Sequence, residues 1–385
     1  MKIRTLSVLL MILVLGLAPQ AGALEMEAEP ARGESKLHMH GYGELHYNVP
    51  SDGGNSKMDL HRMVWGLSYE FNDRISVHTE VDFEHAAQEM ELEFAYLDFL
   101  FNPAMNVRAG LMLMPLGPLN EFHEPPLFYS VERPAVQSSL IPTTWQEGGA
   151  GIYGSPAEGL QYRVYIVSGL AGQGFSASSG IRGGRGKAAG GEGGKPKTGE
   201  ELAIVGRLEY TPLAGVDLGA SYYTGGVDQS NNIPGDPSVT MYEGDVRVRQ
   251  SGVDFQAVYV KIDIDDAAQI NNARLDSKGG PAPLTGNKSV GEELVGWYVE
   301  LAYRLGHLMG TSWDLVPFVR RSEYNTQDAV PAGFTADPKN DREETTYGLA
   351  YFPDPQVALK ADFQDMKDGT GKKTEQYNLG LAYMF

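Results

Sequence analysis

The chain contains no cysteine, which excludes disulfide staples, thiolate metal centres and lipid attachment through an N-terminal cysteine. It also lacks any run approaching the roughly 20 consecutive apolar residues that a membrane-spanning helix needs, so helical transmembrane proteins are excluded. Positive charge is scarce: 31 Lys and Arg stand against 50 Asp and Glu, a formal net charge of -19, which argues against nucleic acid as a partner. Two classes survive, a soluble secreted protein and a closed barrel. A mean hydropathy of -0.28, 47 Gly and 20 Tyr suit a barrel, whose strands alternate lipid-facing and water-facing residues and so are only mildly apolar on average.

What is present begins with a targeting segment. Lys2 and Arg4 precede an apolar run over Leu6–Leu17, and Ala21-Gly22-Ala23 follows as a small-residue cleavage site. This predicts a signal peptide over 1–23, a short linker over 24–36 and an outer-membrane barrel domain over 37–385. The run is too short to span a hydrocarbon core of about 30 Å as a helix.

Beyond the linker, alternation of apolar and polar residues recurs along almost the whole chain, the mark of strands with one greasy and one wet face. In the last strand Tyr377, Leu379, Leu381, Tyr383 and Phe385 point one way and Gln376, Asn378, Gly380, Ala382 and Met384 the other. The predicted spans are 37–48, 58–71, 74–85, 91–102, 106–114, 148–155, 160–168, 201–211, 215–224, 239–249, 253–264, 293–305, 312–325, 343–353, 356–367 and 374–385. Even-numbered connections are tight, as at Asn72-Asp73, Asn102-Pro103 and Asp354-Pro355, whereas odd-numbered ones are mostly long, notably 115–147, 169–200 and 265–292. A soluble sandwich has no reason to sort its loops this way; an antiparallel transmembrane β-barrel of 16 strands does. The glycine-rich segment 169–200 reads as a mobile external loop.

Inward positions decide transport, because charged side chains there line the water path. Carboxylates come from Glu44, Glu80, Asp82, Glu84, Asp98 and Asp245, and cations from Arg62, Arg108, Arg163, Arg207, Arg247, Arg304 and Lys360. Mutually satisfied pairs explain each of them as well as ion selection does. Trp65, Tyr69, Phe71, Tyr351 and Trp297 fall on outer faces near strand ends, where amphipathic rings suit the lipid headgroup level. His38, His40 and His46 share a face with Glu44, and His78 lies two strands away. That set has the chemistry for Zn²⁺ or Cu²⁺, but solvated histidine is the commoner outcome and no metal or other cofactor is expected. Tyr377, Leu379, Leu381, Tyr383 and Phe385 resemble the C-terminal signal read by the barrel assembly machinery.

The connection 115–147 is long, partly apolar and rich in proline, which predicts a segment folded into the lumen as a constriction. Its candidate constriction residues are Asn120, Glu121, His123, Glu124, Glu132 and Arg133. The stretch runs Pro115-Leu116-Gly117, then Asn120-Glu121-Phe122-His123-Glu124-Pro125-Pro126, Glu132-Arg133-Pro134 and Pro142-Thr143-Thr144-Trp145. With Val316-Pro317-Phe318-Val319-Arg320 and Leu359-Lys360-Ala361-Asp362 further on, it resembles the phosphate-selective porin O/P-like family of outer-membrane porins. The resemblance implies a sixteen-stranded, usually trimeric pore narrowed by its third external loop. Phosphate specificity does not follow, because the chain is acidic and the loop offers Glu121, Glu124 and Glu132.

The expected function is therefore a channel for passive diffusion of ions and small hydrophilic solutes. Its expected partners are outer-membrane lipid, the assembly machinery and two further copies of itself. The alternatives are a barrel hydrolase, which would need a nucleophile beside a base such as His123, and a surface adhesin or receptor with little conductance.

Overall fold

In the computed structural model, residues 36–185, 199–276 and 278–385 are described. The expected signal segment, nearly all of the linker and the centre of the glycine-rich loop lie outside them. Sixteen strands form one closed barrel in which each pairs antiparallel with its chain neighbours and β1 closes on β16. They are β1 (Leu37–Pro50), β2 (Lys57–Asn72), β3 (Ile75–Glu84), β4 (Glu89–Asn102), β5 (Met105–Leu113), β6 (Gln146–Ala157), β7 (Leu160–Ser168) and β8 (Leu202–Leu213). The second half comprises β9 (Val216–Gly226), β10 (Ser238–Gln250), β11 (Val253–Asp265), β12 (Glu293–Tyr303), β13 (Asp314–Ala329), β14 (Asp341–Asp354), β15 (Val357–Asp368) and β16 (Lys373–Met384). These agree with the predicted spans to within a few residues, and the short turns and long loops are sorted to opposite ends as the pattern required.

The outer face is apolar and unpartnered within the chain. Trp65, Leu208, Tyr259, Leu301, Leu349, Tyr377 and Leu379 are all exposed there, while Asn378 and Ala382 on the other face of β16 are buried. A barrel leaves no strand edge unsatisfied, which is what a lipid environment demands. This chain is an outer-membrane β-barrel.

Two expectations need correction. The inner face is not uniformly wet: near the long-loop end Tyr165, Val205, Tyr223, Val239, Met241, Val260, Ile262, Leu294 and Tyr298 point inward and are buried in one apolar cluster. In β11 the inward face is polar as far as Gln256 and apolar beyond it, where Val258, Val260, Ile262 and Ile264 are buried against the loops that fill the lumen. Nor is the start of the glycine-rich loop loose. Leu170, Phe175 and Ile181 are fully buried in that cluster, and Gly172 N donates to Val227 O, Arg274 to Phe175 O and Thr326 to Ala177 O.

Of the register shifts around the barrel, two fall within the bodies of the first four strands and bear on the lumen. Between β1 and β2 the register passes from Glu44↔Arg62 to Leu45↔Leu60, leaving His61 as the extra residue. Between β3 and β4 it passes from Glu80↔Phe94 to Val81↔Leu92, leaving Glu93. A bulge turns a side chain off its regular face, and both extra residues contact lumen-facing side chains.

Candidate permeation pathway

The third connection at the long-loop end, residues 114–145 (L3), folds inside the barrel, and its neck is tied by one side chain. Asn120 Nδ2 donates to Met114 O (2.8 Å) and Trp145 O (3.0 Å), while its Oδ1 accepts from Trp145 N (2.9 Å). Both legs of the loop are thus pinned together, a structural role for a residue expected at the constriction. Trp145 is fully buried against Tyr223 (5.1 Å between ring centroids), and its Nε1 donates to Glu147. A short helix α1 (Ala135–Ser139) then packs on β12 and β13.

From there the loop is held across the lumen by charge. Lys360 Nζ donates to Pro125 O (2.6 Å) and Ser130 O (2.9 Å) and sits over the Phe128 ring. Asp362 accepts from Val131 N (2.6 Å), Arg320 donates to Ser130 Oγ (2.7 Å) and Glu300, and Tyr129 OH donates to Asp254 (2.6 Å). Burial and the neighbouring Asp254 raise the Tyr129 phenol above its ordinary range, so it acts as a neutral donor. Gly380 lets the loop approach: a Cβ there would lie 3.1 Å from Val131.

His123 points away from open water. Its Nδ1 faces the Asn120 carbonyl (3.0 Å) and must donate to it, while Nε2 meets Glu93 (2.7 Å) and Tyr42 OH (2.7 Å). Tyr42 OH also donates to Glu93 (2.9 Å), and Arg62 lies among Glu44, Asp82, Glu84 and Glu93. Both His123 nitrogens are thus engaged, by the Asn120 carbonyl on one side and by Glu93 and Tyr42 on the other. Tyr42 and Glu93 were not among the residues singled out in the sequence. Glu93 was hidden by its bulge, whereas Tyr42 shares the parity of His40 and Glu44, and that alternation is the signal that could have found it.

The other loop residues flank the two sides of this plug. Glu121 and Glu124 line a cavity of about 440 Å³ toward the short turns, with Glu80, Tyr96, Arg108 and Arg163. Next to it is one of about 540 Å³ lined by Arg163, Arg207, Arg247 and Arg304 together with Glu209, Asp245 and Asp254. Glu132 and Arg133 face the long-loop side, in a cavity of about 350 Å³ with Glu44, His46, Arg62 and Glu344. Burial pushes the Glu121 carboxyl above its usual value, and Arg163 at 3.4 Å only partly offsets this. Burial acts in the same sense on Glu132, but bonds from His46 and Asn48 outweigh it and hold that carboxyl below its usual value.

The expected wall cations are each committed. Arg108 is bidentate on Asp98 (2.8 and 2.9 Å) and stacks on Tyr96; Arg163 meets Glu121 and Glu209. Arg207 meets Glu209, Glu243 and Asp245; Arg247 is bidentate on Asp254; Arg304 lies just past the end of β12, on Asp314. Glu80 bonds His40 (2.8 Å), Asp82 lies by Arg62, and His78 bonds Ser68 and Ser76. The histidines whose chemistry would have suited a metal are dispersed: His38 lies by Glu70, His40 by Glu80 and His46 between Glu44 and Glu132.

Comparison with known proteins gives one close sequence relative. An uncharacterised protein of Aquifex aeolicus (strain VF5) is 31% identical over 379 residues, covering 95% of this chain and 84% of that protein. No family model matches the chain. Among solved structures, Salmonella typhi OmpF in complex with daunomycin superposes with a TM-score of 0.60 at 12% identity, covering 91% of this chain and 98% of that one. The outer membrane channel DcaP of Acinetobacter baumannii gives 0.57 at 10% identity (91% and 97% covered). The Vibrio cholerae outer membrane protein OmpT, in its trimer form, gives 0.56 at 11% (91% and 99%). At these identities the likeness is one of fold.

Proposed function

We propose, from the premise that this chain belongs to the same family as the uncharacterised Aquifex aeolicus protein and has the fold of the outer-membrane porins, that it is a passive channel for ions and small hydrophilic solutes. The observation that carries the reading is L3. A loop folded into a sixteen-stranded barrel, flanked by charged cavities on both sides, is an arrangement that narrows a water path without a moving part. Glu121 and Glu124 on one side and Glu132 and Arg133 on the other set the local field at the constriction. The excess of carboxylate over the whole chain favours cations mildly.

Single-channel recording in a planar bilayer under a salt gradient tests this. A stable ohmic conductance with a reversal potential on the cation-selective side is expected; a closed barrel, or strong anion preference, sinks the reading. Phosphate selectivity, and with it a closer kinship to the phosphate-selective porins, is testable in the same recording by exchanging chloride for phosphate, and no phosphate preference is expected.

The assembled form in this reading is a homotrimer, as in the trimer form of the Vibrio cholerae protein, and native mass spectrometry in detergent would give its mass. Residues 1–23 are removed on export, which N-terminal sequencing of envelope material checks. The outward row ending in Phe385 serves as the assembly signal, so deleting Phe385 lowers the yield of folded barrel.

A further inference from the structure

At the long-loop rim of the barrel, three metal-ligating side chains from β2 and the turn after β3 converge beside the outer cavity. Asp59 Oδ2 lies 2.8 Å from His85 Nδ1 and 3.3 Å from His61 Nδ1, and one ligand atom from each of the three residues falls within 4.8 Å of the others. A bulge and a strained turn shape the cluster. Asp59 and His61 lie two residues apart and share a face of β2 by ordinary alternation, and the bulge at His61 brings Arg62 to the lumen side as well. His85 opens a run of three non-glycine residues in the left-handed region, with φ of 51, 57 and 68° at His85, Ala86 and Ala87. Hydrogen bonds from His85 N to His61 O and from Ala86 N to Leu60 O fold that turn back over β2. Backbone strain of this kind persists only where the surroundings enforce it.

We infer that Asp59, His61 and His85 form a binding site for a borderline divalent cation of the zinc class at the outer mouth of the barrel. Two imidazoles and one carboxylate are a ligand set such ions favour, and tetrahedral bonds of about 2.0–2.1 Å need donor atoms roughly 3.3 Å apart, close to the two spacings from Asp59, with the whole set within 4.8 Å. A cation would replace the protons through which both imidazoles now bond Asp59. The three side chains are about one-third exposed, at 30, 32 and 40% for Asp59, His61 and His85, which leaves access from outside and a fourth position for water. His46 stacks on His61 with centroids 4.7 Å apart and touches Glu44 and Glu132, so the next donors lead inward toward L3. The inference does not depend on the barrel conducting.

The test is calorimetric titration of ZnCl₂ into the full-length folded protein, purified in detergent without a polyhistidine tag. One saturable equivalent with a micromolar Kd is expected. His61→Ala and His85→Ala should each weaken it by about 10-fold or more, whereas His38→Ala leaves it unchanged. No saturable binding below about 1 mM, equivalent to roughly -4 kcal/mol, overturns the proposal, as does binding undiminished in the double variant. On the unsubstituted protein, Cu²⁺ electron paramagnetic resonance supplies a readout independent of variant folding. Nitrogen couplings from two imidazoles are expected; an oxygen-only spectrum refutes the site.

Discussion

From β5 to β12 the wall facing the long-loop half of the lumen is built of Tyr165, Val205, Val260, Ile262 and Leu294, and it meets L3 through Leu116, Val136, Leu140 and Trp145. From β13 round to β4 the facing wall is Arg320, Glu344, Lys360, Asp362, Asn378, Glu44 and Arg62, and it meets the same loop mainly through polar groups: two main-chain carbonyls, one amide, Ser130, His123 and Glu132, with Tyr129 packed on Phe318 and Phe352. The first contact is a hydrophobic core that excludes water and is not weakened by ionic screening. The second is a set of charge-assisted bonds, each short and directional, whose groups would stay hydrated if the loop withdrew. One wall therefore fixes L3 in place while the other positions it, and the cavity containing Glu132 and Arg133 lies against the charged wall.

The comparison is broken most forcefully at Trp145. Trp145→Ala removes the largest side chain of the apolar contact along with its bond to Glu147, and destabilises the folded barrel by about 3–5 kcal/mol. Urea unfolding in detergent measures it. A loss below about 1 kcal/mol would mean that the apolar wall does not anchor the loop.

A smaller energetic effect with a larger functional one is expected opposite. Lys360→Met keeps bulk but removes the donor shared by Pro125 O and Ser130 O, costing about 1–3 kcal/mol. The barrel stays folded while this side of L3 loosens, so single-channel conductance rises and becomes noisier. If conductance is unchanged, or if the unfolding midpoint falls as far as in Trp145→Ala, the division of labour between the walls is wrong.

The strands and their order were legible because period-two alternation is imposed by lipid on one face whatever lies on the other. In β16 the row from Tyr377 to Phe385 needs no tertiary information to assign. Glu93 and His61 were not legible: a bulge shifts parity by one residue, and single-sequence alternation registers this only as Glu91 and Glu93 sharing a face across the outward Leu92. The apolar inner wall was missed for a related reason. Val258, Val260, Ile262 and Ile264 follow Asp254 and Gln256 on one face, and that switch from polar to apolar partway along a strand marks where the loops fill the lumen. The loop itself was recognisable from its prolines, but its six named residues separate into a neck (Asn120), a buried link (His123) and two cavity-facing pairs only once the opposing wall is in place.

The subtlest contrast is between two glutamates of L3 displaced in opposite directions. Glu132 is held charged by His46 and Asn48, whereas Glu121, mostly buried beside Arg163, is raised. An unfolded glutamate titrates near about 4.3. Because the folded value of Glu121 is higher, the folded protein binds this proton more tightly, so the stabilisation is complete below the unfolded value and is lost as pH rises through the folded one. Charge in the short-turn cavity changes in the same window: acidification through the raised value neutralises Glu121 and reduces cation preference before ordinary carboxylates respond. Reversal potentials measured across this range should therefore show a step that disappears in Glu121→Gln. Glu132→Gln should leave the step in place and lower cation preference at every pH above it, because Glu132 is ionised throughout. A step that survives Glu121→Gln would assign the titration to another group and remove Glu121 from the constriction.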